Sequence, residues 1–341
     1  MNTVDFLAYE PHFIDHLAPV WHALDPRIRG RFLTDPDLMK RARDLDIPAL
    51  GIVAPKPRPR QPGAVFDGTP ALVASYGDIK KGRRMGYGPF AFLEHGIAQS
   101  YAGDRTARSH ASYSGGADRG DVELNLVPND NARARWREAY PDARTVVVGC
   151  PKLDTLPSRE PGPGPVVAFS FHFPCSVVPE TRPAFGTYLE ALEEVARQYT
   201  VIGHAHPRYF GMDRRYRRLG IEYVPDFTDV CRRADLYVCD NSSTIYEFAS
   251  TGRPVLVLNA PSYRRNVDHG LRFWEAADVG IQVDRAKDLL PAIAEALEDD
   301  AELQQGREIA LDIVYGHRSG AAERAAAEIA SWLGQRAEVA A

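Results

Sequence analysis

Short apolar runs alternate with amphipathic helical patterns along most of the 341-residue chain. Runs of this length, separated by helical periodicity, are typical of strands that are joined by covering helices. The pattern therefore predicts repeated strand–helix units built around parallel sheets.

In the first half, strands are predicted at Val4–Tyr9, Ala49–Val53, Ala71–Ser75, Phe90–Glu94, Val122–Val127 and Thr145–Gly149. Helices are predicted over Phe13–Leu24, where apolar residues recur at helical spacing, and over Asn129–Tyr140. The proline-rich basic segment 56–63 (KPRPRQPG) is predicted to be a loop or an extended stretch.

Residues 155–165 (TLPSREPGPGP) contain a proline and glycine run that can continue neither a helix nor a central strand. We interpret this segment as a boundary between an N-terminal domain, residues 1–154, and a C-terminal domain, residues 155–341. The last helix of the second domain could pack back on the first.

After the boundary the alternation restarts. Strands are predicted at Val166–Phe171, Thr200–Gly203, Ile221–Val224, Asp235–Cys239 and Pro254–Leu258. Helices are predicted at Thr187–Gln198, Met212–Leu219, Thr228–Ala234, Thr244–Thr251, Ala286–Leu297, Ala301–Val314 and Ala321–Trp332. The fold class is α/β, with two Rossmann-like domains expected to face a central cleft and to bind ligands at the carboxyl ends of their strands.

Composition narrows the class of protein. Apolar residues make up 44% and the formal charge is −5, which excludes wholesale disorder and argues against a protein that coats nucleic acid. The four cysteines lie far apart and are expected to be free thiols in a reducing compartment. Neither a signal peptide nor an apolar stretch of about 18 residues is present, so we expect a cytoplasmic protein.

The strongest local signal follows the strand that ends at Cys239. Asn241, Ser242, Ser243 and Thr244 lead directly into a helix, whose first turn offers free N–H groups and hydroxyls to an anion such as a diphosphate. Glu247 lies one turn further on and could reach a ribose diol. Ordinary helix capping explains part of this pattern equally well.

A second signal is His95, which follows the strand Phe90–Glu94. A histidine there can act as a general base at neutral pH, and Gly96 permits a close turn. Glu94, Gly96, Gln99 and His12 are assigned to the side of the site that would hold an acceptor, the molecule that receives a transferred group. Glu10, at the end of the first strand, is the reserve base, whereas His16 is interpreted as a surface or packing residue.

The segment His204–Arg208 ends another strand and suits a phosphate, with His206 and Arg208 as the candidate donor-binding residues. Its two histidines have no third ligand at a recognisable metal spacing, so we expect neither a metal nor another cofactor. Lys152, just after the last strand of the first domain, is placed to meet an anion. The basic runs 56–60, 80–84 and 214–218 are interpreted as solvated surface or as a track for a polyanionic acceptor.

Five blocks in this order resemble the CDP-glycerol glycerophosphotransferase family and, more broadly, GT-B glycosyltransferases. The matching blocks are Glu94-His95-Gly96, Gly149–Asp154, His206-Pro207, Ala234–Ser243 with Arg253-Pro254, and Gly320–Arg324. The chain departs from the family pattern at Glu94, where an aromatic residue is usual, at Lys152, where arginine is usual, and at Asn241, where tyrosine is usual.

The resemblance implies a GT-B fold and metal-independent transfer from a nucleotide-diphosphate-linked donor, CDP-glycerol or a nucleotide sugar, to an acceptor hydroxyl. It implies that His95 is the catalytic base or contacts the reacting group, and that His206, Ser242 and Ser243 bind the donor phosphates. By GT-B analogy Glu247 binds the ribose, and Asp226 and Phe227 border the base.

The acceptor is a polyol phosphate, a glycan or a modified base in DNA, as in enzymes of some bacterial viruses. Two other readings stay open: an enzyme similar to UDP-sugar 2-epimerases, and a non-catalytic nucleotide-sugar binder.

Overall fold

The computed structural model describes residues 3–54, 68–98, 119–176, 178–265, 276 and 279–339. These residues form two compact units. The first comprises the described residues up to 155 together with those from 315 onward, and the second comprises residues from 156 to 314. The basic segment 56–63 and Gln99 lie outside the described residues.

The first unit is built on a parallel sheet of β1 (Val4–Ala8), β2 (Arg29–Thr34), β3 (Ala49–Gly51), β4 (Ala71–Val73), β5 (Phe90–Leu93), β6 (Val122–Val127) and β7 (Arg144–Val147). The strands lie in the order β3-β2-β1-β4-β5-β6-β7. Sequence order therefore reverses between β1 and β4, as it does in Rossmann folds, and ligands bind at the carboxyl ends of strands beside such a reversal.

The second unit repeats this plan with β8 (Val166–Phe171), β9 (Thr200–Ala205), β10 (Glu222–Tyr223), β11 (Leu236–Cys239), β12 (Val255–Leu258) and β13 (Ile281–Val283). Its order is β10-β9-β8-β11-β12-β13, and every pair is parallel. The reversal lies between β8 and β11, so the segments that follow these two strands define the expected ligand position.

The first unit contains the helices α1 (Pro11–Ala23), α2 (Met39–Asp44), α3 (Tyr76–Arg84) and α4 (Asp130–Ala139), and also α11 (Ala321–Val339). The second unit contains α5 (Phe185–Gln198), α6 (Met212–Arg218), α7 (Phe227–Arg233), α8 (Thr244–Ala249), α9 (Leu289–Glu298) and α10 (Ala301–Val314). In α1 the predicted apolar stripe is confirmed, because Phe13, Leu17 and Trp21 all lie in the core of the first unit.

Four of the helices and strands described above were not predicted: β2, α2, α3 and β13. Strand β2 begins with Arg29, Gly30 and Arg31, and only its second half is apolar, so it lacks the pattern of a buried strand. Helix α3 contains four basic residues and two glycines, so its sequence lacks the apolar periodicity that would predict a helix. Strand β13 has only three residues, too few to show a period.

The final helix belongs to the first unit. Ile329, Trp332 and Leu333 enter its core, and the Trp332 indole donates a hydrogen bond to Glu123. The start of α11 is held by Asp154, whose Oδ2 atom accepts from the Ala322 N–H at 2.8 Å. Two of the blocks noted in the sequence, Gly149–Asp154 and Gly320–Arg324, thus bind each other.

Gly149 makes this close approach possible. Its φ is +90°, and a Cβ atom there would lie 2.4 Å from the His317 carbonyl oxygen. Only glycine accommodates both conditions.

Candidate functional site

In the first unit, Glu10, His12 and His95 lie at the carboxyl ends of strands around the reversal. Glu10 is the N-cap residue of α1, and its carboxylate lies 3.8 Å from His12 Nε2. The His12 and His95 ring centroids are 6.1 Å apart. The structure therefore brings the predicted base, the reserve base and an acceptor-side residue to one place.

His95 is held in a defined orientation. Its Nδ1 atom is 2.9 Å from the Ala74 carbonyl oxygen at the end of β4. A carbonyl can only accept a hydrogen bond, so Nδ1 carries the proton and the basic lone pair of the neutral ring lies on Nε2. Gly96 follows with φ +62°, a conformation that favours glycine.

His16 lies behind this group rather than on the surface. Its ring centroid is 6.0 Å from that of His95, and its Nδ1 atom is 3.7 Å from the Cys150 sulfur. Burial, then the charges of Lys152 and His95, lower the pKa of His16 well below its usual value. His16 is thus a neutral packing residue, and the alternative of a surface position was wrong.

Two predicted site residues are buried in the first unit. Lys152 is 6% exposed and lies near His16 in a short 3₁₀ helix, Pro151–Thr155. Glu94 is 2% exposed, and its carboxylate accepts a hydrogen bond from the Trp136 indole. These two positions, at which the chain departs from the family pattern, are therefore buried in the first unit.

In the second unit, Asp240 ties together the segments at the strand reversal. Its Oδ1 atom accepts from the His172 N–H, and its Oδ2 atom accepts from the Ala184 N–H at the start of α5, both at 2.8 Å. Burial raises the pKa of the Asp240 carboxyl to about 6, against the lowering effect of these backbone hydrogen bonds. Asp240 thereby fixes the geometry of the residues that follow β11.

Those residues present polar atoms at the start of α8. Thr244 donates a hydrogen bond from its hydroxyl to Ser242 Oγ at 2.8 Å, and Tyr237 lies 2.8 Å from the same threonine oxygen. Ser243 is the N-cap residue, and its side chain makes no capping hydrogen bond. Asn241 is buried, with its Nδ2 group bonded to the Glu180 carbonyl oxygen. Ser242 Oγ also accepts from the Thr244 N–H at 3.2 Å, so local capping accounts for Ser242 but not for Ser243.

His206 lies beside a histidine that the sequence reasoning missed. The His206 and His172 ring centroids are 5.3 Å apart, at the ends of β9 and β8. His206 Nδ1 accepts from the Arg208 N–H, so the neutral ring presents an N–H at Nε2. The exposed Arg208 guanidinium lies 5.8 Å from the centre of the Phe173 ring.

The residues assigned to the nucleoside are less accessible. Glu247 is 1% exposed, and Phe227 is 6% exposed with its ring packed on His204 and Tyr237. The Asp226 carboxylate caps α7 by accepting from the Thr228 N–H. These contacts explain Asp226 and Phe227 as parts of the fold.

A second unpredicted feature is the ion pair between Glu180 and Arg264. Glu180 is fully buried, and both its oxygens accept from the Arg264 guanidinium at 2.8 Å. Burial favours a raised pKa for Glu180, but the hydrogen bonds from Arg264 outweigh it and hold the pKa at about 2. Because the Glu180 carbonyl also binds Asn241, this pair supports the segment after β11.

His172 could have been found from its position directly after β8, the signal that identified His95. Glu180, in a short 3₁₀ helix (Pro179–Thr181), and Arg264 lie 84 positions apart, and no sequence pattern joins them. Among the described residues, no group of histidine, cysteine, aspartate and glutamate side chains is arranged to hold a metal ion. No helix in the described ranges is long and apolar enough to cross a membrane.

Two Rossmann-like units, each with polar residues at its strand reversal, define a protein with a GT-B-like fold. Residues 185–330 match the family model described as CDP-glycerol:poly(glycerophosphate) glycerophosphotransferase. The predicted resemblance to this family is confirmed over that segment, and the solved structures described next share the GT-B-like fold. A search of curated protein sequences finds no significant match.

Solved structures cover nearly the whole chain at low identity. A proposed UDP-N-acetylglucosamine 2-epimerase from Listeria monocytogenes has a TM-score of 0.65 and 16% identity over 98% of this chain and 97% of its own. The wall teichoic acid polymerase TagF, soaked with CDPG, has a TM-score of 0.59 and 10% identity over 99% and 90%. The kitacinnamycin glycotransferase has a TM-score of 0.56 and 13% identity over 96% and 98%.

Proposed function

We propose that the protein transfers a glycerophosphate-type or glycosyl group from a nucleotide-diphosphate-linked donor to an acceptor hydroxyl. The observation that carries this proposal is the group formed by His206, Ser242, Ser243 and Thr244 at the strand reversal of the second unit. This group lies within residues 185–330, the segment that matches the glycerophosphotransferase family model. CDP-glycerol is therefore the first donor to test.

The second unit binds the donor in this account. The Nε2–H group of His206 and the hydroxyls of Ser242 and Ser243 donate hydrogen bonds to phosphate oxygens. Donors aimed at charge that develops on the departing phosphate accelerate its release. Arg208 adds positive charge near His206, and Asp240 keeps the segment after β11 in place. Glu247 remains the candidate for the ribose.

The first unit activates the acceptor. Nε2 of His95 takes the proton of the acceptor hydroxyl, and the Ala74 carbonyl stabilises the imidazolium that forms at Nδ1. The acceptor oxygen then attacks the phosphorus that carries glycerol, the bond to the bridging oxygen breaks, and CMP leaves with that oxygen. Glu10, beside His12, is the reserve base. We propose that this chemistry proceeds without a metal, so transfer should persist in EDTA.

Product analysis tests the proposal. The purified protein is incubated with CDP-glycerol and a polyol phosphate acceptor, and the released nucleotide is identified. Acceptor-dependent release of CMP is expected for glycerophosphate transfer, whereas a nucleoside diphosphate product from a nucleotide sugar indicates glycosyl transfer. No release from CDP-glycerol or from any nucleotide sugar, in folded protein, would contradict the proposal.

A second candidate is epimerisation of a UDP-sugar, which the structural likeness to an epimerase favours. Such an enzyme acts on its donor alone. Conversion of UDP-N-acetylglucosamine without an acceptor, together with no acceptor-dependent release, would select this alternative.

A further inference from the structure

Two buried asparagines follow neighbouring strands of the second sheet, and each has an amide oxygen without a hydrogen-bond partner. Asn241 comes two residues after β11 and is 2% exposed, and Asn259 follows β12 directly and is 3% exposed. The Oδ1 atoms of both accept no hydrogen bond from the described residues. Because a buried acceptor without a partner is costly, such atoms at the binding end of a sheet call for a ligand.

The hydrogen bonds of each side-chain amide show that the oxygen, and not the nitrogen, is the atom that lacks a hydrogen-bond partner among the described residues. The Nδ2 group of Asn241 donates to the Glu180 carbonyl oxygen. The Nδ2 group of Asn259 donates to Gln282 Oε1 at 3.1 Å and to Asp284 Oδ1 at 2.9 Å. A carbonyl and a carboxylate only accept, so neither amide can be turned around, and in both it is the oxygen that needs a donor.

The two asparagines follow the carboxyl ends of neighbouring strands. Strands β11 and β12 are parallel, and their last pair is Cys239 with Val257. Asn241 and Asn259 each lie two residues beyond this last pair, Asn241 in the bend that follows β11 and Asn259 directly after β12. Neighbouring strands lie about 4.8 Å apart, a spacing that two adjacent hydroxyls of one ligand can span.

We propose that the amide oxygens of Asn241 and Asn259 together accept hydrogen bonds from the two hydroxyls of a vicinal diol in the donor substrate. A phosphate cannot satisfy them, because its ionised oxygens are acceptors. The inference rests on the proposed function and divides the donor site into two parts. The hydroxyls of Ser242 and Ser243 and the ring of His206 bind phosphate, and the two asparagine amide oxygens bind the diol. Two parts of CDP-glycerol contain this group, the nucleotide ribose and the glycerol.

Calorimetric titration of the wild-type protein distinguishes the two sources. One arm compares CDP with 2′,3′-dideoxy-CDP, and the other compares CDP-glycerol with the n-propyl ester of CDP. Loss of the diol that binds the asparagines should weaken affinity about 10- to 100-fold, the effect of two lost hydrogen bonds. The other arm should show the smaller change.

The variants Asn241→Leu and Asn259→Leu test whether the affinity that the diol contributes depends on the two amide groups. Each should weaken binding of the diol ligand about tenfold and leave the ligand without the diol unchanged. Asn125→Leu is the matched control, because Asn125 in β6 of the first unit is also buried with an unpartnered Oδ1 atom. It should leave both affinities unchanged.

Equal affinity for both members of each ligand pair would overturn the inference while leaving the proposed function intact. A leucine variant that weakens binding equally with and without the diol would overturn it too, since the asparagines would then act only through the fold. Failure of every CDP compound to bind would contradict CDP-glycerol as the donor and, with it, this division of its binding site.

Discussion

The backbone N–H of His172 donates a hydrogen bond to Oδ1 of Asp240 across 2.8 Å, at the point where the strand order of the second sheet reverses. The same carboxylate accepts from the N–H groups of Ala184 and Asn241. One side chain therefore fixes the ends of β8 and β11 and the start of α5. Asp240 therefore holds the segments that carry the proposed donor-binding residues.

Removal of this carboxylate should destabilise the protein. Asp240→Ala leaves three buried N–H groups without an acceptor, and we expect a loss of about 3–5 kcal/mol in the free energy of unfolding, measured with denaturant. Asp229→Ala is the control, because its ion pair with Arg232 is largely exposed and should contribute less than about 1 kcal/mol. Similar losses in the two variants would refute the role given to Asp240.

His95→Ala should abolish transfer and leave nucleotide affinity nearly unchanged, because the residue acts on the acceptor hydroxyl. Removal of a general base typically costs 10²- to 10⁴-fold in rate. Turnover and nucleotide Kd are measured on the same preparation. His22→Ala, an exposed change on the same helix as His12, should preserve activity. Full turnover in the His95 variant would rule out the proposed base.

His206→Ala should weaken CDP binding and spare cytidine binding, because the Nε2–H group of His206 is assigned to phosphate. The loss of one hydrogen bond to a charged group corresponds to about 10- to 100-fold in affinity. Titration of both ligands separates a phosphate contact from a general distortion. An equal loss for cytidine would place His206 outside the phosphate site.

The buried Glu180–Arg264 pair should make stability depend on pH in acid. The folded pKa of Glu180, about 2, lies below its ordinary value of 4.5, so its contribution is complete above pH 4.5 and is lost as pH falls toward 2. Glu180→Gln should therefore lower the free energy of unfolding by about 1–3 kcal/mol at pH 7, with a difference that shrinks below pH 4.5.

Glu222→Gln provides the comparison for this effect, because Glu222 also makes a two-pronged pair with an arginine but is largely exposed. Its stability should change by less than about 1 kcal/mol. A Glu180→Gln difference that stays constant from pH 7 to pH 3 would show that the carboxylate charge is not the cause.

Apolar periodicity was sufficient to predict the long elements. Strands Val122–Val127 and Val166–Phe171 and helix Ala301–Val314 have the bounds that the sequence predicted. Strand-end positions also located His95, His206 and the Ser242–Thr244 segment. The sequence could not predict which polar side chains near strand ends are buried: Arg208 is exposed, whereas Glu94 and Lys152 are buried. That difference depends on distant partners such as Trp136.

A thermal-shift series with CDP, UDP, GDP, ADP and TDP, each with and without Mg²⁺, tests the donor site most directly. A ligand present at 100 times its Kd stabilises the folded protein by about 2.7 kcal/mol, which raises Tm measurably. A clear shift is expected with one diphosphate, CDP for a glycerophosphate donor. The shift should not require Mg²⁺ and should disappear in His206→Ala. A cooperative melt that none of the five diphosphates shifts would contradict the donor site at His206 and Ser242–Glu247.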